Sequence, residues 1–146
     1  MPSGRLWGMT PRQSIERECR IRGRDSVIDG CIALLDPGCR DIDGDLLTAL
    51  AGPSARRILS GESRADPGLW TRVWALRGLL WVWDDRATDA LGSALADDSW
   101  RVREMAGKVV RKHDVRRYAE TIARLRTDPC PRVRAVANAW QELAPD

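Results

Sequence analysis

The sequence predicts an all-α chain built as an α-solenoid, a stack of antiparallel helix pairs. Three observations lead there. Ala, Leu and Arg dominate the composition, and Val and Ile never form alternating runs, so helix is favoured and no strand signal arises. From residue 69 onward, apolar residues recur at helical spacing between regular turn signals. Finally, Arg72-Val73-Trp74, Arg101-Val102-Arg103 and Arg132-Val133-Arg134 align with one another, their valines 29 and 31 residues apart. A two-helix unit recurring at about 30 residues is the mark of a solenoid.

Along the chain, residues 1–9 read as a flexible leader, which leaves Met1 and Met9 both open as the natural start. Residues 10–146 read as one domain. Thr10-Pro11-Arg12-Gln13 has the form of a capping box with proline at the first helical position, predicting a helix over about 11–22 that ends at Gly23. Asp25 is expected to cap a second helix, 26–35, with Val27, Cys31, Ile32 and Leu35 inward. Asp41, Asp43 and Asp45 have the spacing of a calcium loop. Leu46 and Gly52 occupy its sixth and twelfth positions, where glycine and glutamate are required, so a capped helix over 46–51 is expected instead. A short helix through Ser60 and a polar connection follow. Residues 69–83 carry four of the seven tryptophans and two apolar stripes, one of Leu69, Val73, Leu76, Leu80 and Trp83, the other of Trp70, Trp74 and Trp81. A helix apolar nearly all round belongs in the interior; it is too short to span a bilayer and carries Arg77 at mid-length.

The clearest repeats are 84–113 and 114–144. Asp84-Asp85, Asp97-Asp98-Ser99, Asp114 and Asp128-Pro129 are expected to cap the four helices of this part. Inward stripes run through Leu91 and Leu95, through Val102, Met105, Ala106, Val109, Val110 and His113, through Ile122, and through Val133, Val136, Ala137, Trp140 and Leu143. Trp83, Trp140 and His113 are thereby expected in the core.

Asp97 and Asp128 each stand five residues before their valine, so that the turn Asp-x-x-x-Arg-Val-Arg recurs. The first copy departs from it, with Trp74 in place of the second arginine and Gly68 in place of the aspartate. This pattern resembles the short bacterial HEAT-like repeats, including the phycobilin-lyase type, and most of all uncharacterised actinobacterial HEAT-repeat proteins. The resemblance implies that Asp97, Arg103, Asp128 and Arg134 form a hydrogen-bonded ladder between repeats. It also implies that the second helices present a continuous surface.

Residues 101–134 hold eleven basic and four acidic residues, whereas the rest of the chain is net acidic. Such polarity points to a charged partner. On a wheel centred on Val102, the outward positions include Glu104, Gly107, Lys108 and Arg111, with Lys112 on the flank; the counterparts in the Trp-rich helix include Ala75, Gly78, Leu79 and Val82. Lys108, Arg111, Lys112, Leu79 and Val82 are therefore the expected binding surface. Cys19, Cys31, Cys39 and Cys130 show no metal or redox spacing, and residues 1–9 have no apolar signal region, which points to a reduced, cytoplasmic setting. No phosphate loop, nucleophile elbow or metal-ligand pair occurs, so no catalytic residue, metal or cofactor is expected. Lyase-like and DNA glycosylase-like activities find no residues to carry them. The function expected is that of a non-catalytic protein-interaction scaffold. The alternative is a nucleic-acid binder using 101–134. No membrane partner is expected.

Overall fold

The computed structural model describes residues 8–36, 42–52, 55 and 67–143, and among them every regular element is helical. Eight α-helices are described: α1 Pro11–Arg22, α2 Arg24–Leu35, α3 Gly44–Ala51, α4 Pro67–Trp81, α5 Thr88–Leu95, α6 Trp100–His113, α7 Ala119–Arg124 and α8 Pro131–Leu143. The helix expected through Ser60, Cys39, Asp41, the side chain of Leu143 and residues 1–7 of the leader lie outside the described part.

Local chemistry explains most helix ends. Thr10 Oγ1 accepts from the Gln13 amide while the Gln13 side chain accepts from the Thr10 amide, closing the capping box of α1. Asp43 caps α3 by accepting from the Leu46 amide, and Ser99 caps α6. Two expected caps are corrected. Asp25 lies inside α2, which starts at Arg24 directly after Gly23 (φ 94°) and has no side-chain cap. Asp114 ends α6 in the left-handed conformation (φ 51°) and does not open the next helix. Asparagine and aspartate tolerate that conformation better than other side chains, because their short polar groups bond locally.

α4 is the hub. It packs against α1, α2 and α3 on one side and against α6 on the other, and α6 then packs against α8. Leu76 and Leu79 of α4 are fully enclosed, as are Ile28 of α2 and Leu46 and Leu47 of α3. A side chain at Gly78 would meet Cys31 Sγ and Leu50 Cδ2, each at 2.7 Å, so α2 and α3 approach α4 closely where it has no Cβ. Burial pushes the Cys31 thiol up to about 12, which makes it inert at neutral pH.

The second half repeats with a period of 31. Short 3-10 turns at Asp85–Ala87 and Arg116–Tyr118 precede α5 and α7, and α6 and α8 begin at Trp100 and Pro131. The ion pairs carry the same offset back to α4: Arg72 holds Asp97 as Arg103 holds Asp128. Aligning the valines therefore misplaces the first copy by two residues. Thr71, buried, takes the place of Val102 and Val133, and Arg72 takes that of Arg103 and Arg134. In the sequence, Asp66 then falls on Asp97 and Asp128, in place of Gly68.

Candidate functional site

The ladder residues come together as the motif implies. Arg103 donates from Nε and Nη2 to both oxygens of Asp128, at 2.8 and 3.1 Å. Its Nη1 reaches back to the carbonyls of Asp97 and Asp98. Arg72 grips Asp97 in the same two-pronged way, at 2.9 and 3.3 Å. Each aspartate also accepts a backbone N–H two residues on, from Ser99 and from Cys130. Burial pushes the Asp128 carboxyl up, but the Arg103 hydrogen bonds, the Cys130 amide and the charges of Arg103 and Arg134 outweigh it, and the net shift is downward. These groups bind one another.

The expected binding surface divides. Leu79 and Val82 are buried, a correction to their reading as surface residues, because α1, α2 and α3 cover that side of α4. Ala75 and Gly78 are buried with them. On α6, Glu104 and Gly107 also turn out to be buried. A Cβ at Gly107 would meet Val136 Cγ1 of α8 at 2.8 Å, and Glu104 pairs with Arg132 of α8 at 3.0 Å. Lys108 and Arg111 are partly exposed and Lys112 is exposed. Lys108 reaches Glu104 at 3.8 Å.

Much of the positive stretch is neutralised within the molecule. Arg116 pairs with Asp114, Arg117 with Asp89 and Arg132 with Glu104, in addition to the ladder. Arg101 lies over the rings of Trp100 and Trp70, at 4.5 and 5.6 Å. Two cations flank Trp81, which at 37% exposure is one of two exposed large apolar side chains among the described residues, and one of them, Arg12, also pairs with Glu16 at 3.1 Å. Lys112 Nζ of α6 lies 5.1 Å from its ring centroid and the Arg12 guanidinium of α1 lies 5.5 Å from it. One turn earlier on α4 stands Arg77, partly buried, whose affinity for its proton is lowered by that burial. It meets no carboxylate among the described residues.

The period of 31 explains this gathering. Trp70 touches Arg101 and Trp81 touches Lys112, each pair 31 residues apart across the packed α4 and α6. Trp70, Arg77 and Trp81 lie within about 40° of one another on a helical wheel, as do Arg101, Lys108 and Lys112. Arg77 and Lys108 therefore occupy matching places between two contacting pairs. The result is an aromatic and basic face fed by α1, α4 and α6. Sequence reading found Lys108, Arg111 and Lys112 but missed Trp81, assigned to the interior, and Arg12, which only tertiary packing brings there. The 31-residue offset from Trp81 to Lys112 was the available signal.

Two other features serve structure. The ring of Trp83, expected in the core, is only partly buried and stacks on His113 at 4.7 Å, and His113 Nε2 lies 2.7 Å from the Leu79 carbonyl oxygen. Desolvation lowers the His113 pKa against the opposing effect of that carbonyl, so the ring is neutral at pH 7. An open groove of about 310 Å³ between α1 and α3 is lined in part by Ser14, Glu18 and Ile21. Of its polar side chains, Ser14 is engaged by the Ala49 carbonyl and Glu18 by Arg22. Among the described residues no His, Cys, Asp or Glu side chains group as a metal site, and no helix is long and apolar enough to cross a membrane. Comparison with protein-family models, curated proteins and solved structures gives no match to this chain.

Proposed function

We propose that this chain is a non-catalytic protein-interaction module, a HEAT-like α-solenoid that binds an acidic partner protein through the face around Trp81. The observation that carries the reading is a solvent-facing tryptophan set among Arg12, Arg77 and Lys112, with Lys108 alongside. Tryptophan and arginine are the side chains that most often dominate protein interfaces, since they join large contact area to directed charge. The solenoid part of the reading is supported by the 31-residue period of turns, helices and ion pairs. A cytoplasmic setting belongs to the same reading, supported by Cys19, Cys31 and Cys130, which stand as free thiols.

A nucleic-acid partner is the alternative, and the same face would serve it. The rings of Trp70, Trp81 and Trp100 already carry cations, however, so a base must displace a guanidinium or ammonium to stack there. An acidic protein surface needs no such displacement. The test is recovery of partners from the native cell extract on the tagged protein and on a triple variant, Lys108→Glu with Arg111→Glu and Lys112→Glu. Lys112 is exposed, Lys108 and Arg111 are partly exposed, and the one ion pair that the three make among the described residues is the long 3.8 Å contact of Lys108 with Glu104, so the variant should keep its helical circular dichroism. It should lose the partner, since charge reversal turns attraction into repulsion. Retention of the same partner by the variant would remove this face from the function. Binding to single-stranded oligonucleotides that falls steeply with salt would favour the alternative.

A further inference from the structure

Arg103 and Arg134, 31 residues apart, fold back in the same way. Nη1 of Arg103 donates to the carbonyls of Asp97 and Asp98 at 2.8 and 3.1 Å, and Nη1 of Arg134 to those of Asp128 and Pro129 at 2.7 and 3.1 Å. This leaves Nε and Nη2 as a two-pronged fork, the geometry that matches a carboxylate. In Arg72 and Arg103 the fork closes on an aspartate 25 residues later, Asp97 and Asp128. In Arg134 it meets no carboxylate among the described residues. The helix face beside it is open as well. Ala135 and Asn138 are exposed, whereas their counterparts on α6, Glu104 and Gly107, are buried under α8. α8 thus presents, uncovered, the edge that α6 uses to carry the next helix pair.

We propose that this edge of α8 docks a further helical unit, belonging to a partner, whose turn aspartate closes on the Nε–Nη2 fork of Arg134. The two existing junctions specify the occupant. It needs a carboxylate held in a turn by a backbone N–H two residues on, as Asp97 and Asp128 are held. It also needs a helix with a small side chain over Asn138, which stands on this edge where α6 has Gly107 under Val136. The fork supplies charge complementarity, and the edge continues an interface already built twice in the chain. This docking is independent of the Trp81 face.

The test inserts a second copy of residues 113–143 directly after Leu143, with Val136→Ala in the inserted copy to clear Asn138, which sets the inserted counterpart of Asp128 25 residues beyond Arg134. The extended chain should melt in one cooperative transition, about 5 °C or more above the parent. Asp128→Asn made in the inserted copy alone should abolish most of that gain. Arg134→Lys should do the same in the extended chain, because an ammonium cannot grip both oxygens, while changing the parent much less. An inserted unit that melts separately, or a gain indifferent to its aspartate, would overturn the proposal. So would concentration-dependent dimerisation of the unextended chain that Arg134→Lys abolishes, since the edge would then belong to a second copy.

Discussion

Across the junction between α4 and α6, Arg72 reaches Asp97; across that between α6 and α8, Arg103 reaches Asp128. Around these matching pairs the filling differs. The first junction is broad and aromatic, with Trp70 under Arg101, Trp81 under Lys112 and Trp83 against His113. The second is close where α6 lacks a Cβ, with Val136 seated on Gly107, and polar at its rim, where Arg132 pairs with Glu104 and lies over the Trp100 ring at 5.5 Å. The ion pair sets the offset between neighbouring helices, and the side chains around it are free to vary. Where they are large, their rims remain at the surface. That is how a stacking junction comes to carry a candidate binding face.

The largest effect should come from Trp140→Ala in α8. Trp140 is buried, and its loss should cost about 3–5 kcal/mol in urea-induced unfolding. A loss below about 1 kcal/mol would mean that the second junction can collapse around the void, contrary to its close packing. Next come the ladder arginines. Arg103→Ala should cost about 3 kcal/mol, since it strands a buried carboxylate. Arg72→Ala should cost less, because the Asp97 side chain is 14% exposed against 5% for Asp128. Equal losses would break the distinction between the junctions.

Smaller effects separate the glycines. Alanine in place of glycine within a helix gains about 1 kcal/mol of helix propensity, whereas overpacking costs about 1–3 kcal/mol. Gly78→Ala must displace side chains of both α2 and α3, but Gly107→Ala must displace only Val136. Gly78→Ala should therefore be the more destabilising of the two by thermal melting, and the reverse order would show that α8 presses on α6 more tightly than α2 and α3 press on α4. The smallest effect is one of pH. The Asp128 carboxyl is held below its ordinary value in the folded state, so its stabilising contribution is present above the unfolded carboxylate value of about 3.9 and is lost as pH falls through the folded one. Asp128→Asn should thus be less stable than the parent at pH 7, and the gap should narrow below about pH 4. A gap that stays constant down to pH 2 would remove the carboxylate's charge from the ladder.

The sequence by itself determined what neighbouring residues decide. Helix type followed from apolar spacing and the start of α1 from its capping box, and the recurring motif marked Asp97, Arg103 and Asp128, whose pairing the resemblance implied. Tertiary structure alone decided which side of α4 meets which neighbour. A helix apolar nearly all round carries no phase to say where solvent lies, so the sequence places Leu79 and Val82 at the surface and Trp81 in the interior, whereas α1, α2 and α3 bury the first two and leave the third at the surface. The register of the first copy was hidden because Thr71 stands where the later copies have valine, and the Arg72–Asp97 pair revealed it. Arg12 reaches Trp81 from α1, a helix outside the repeat. Periodicity encodes contacts between repeats, whereas the docking of a non-repeating helix depends on side-chain shape across the interface.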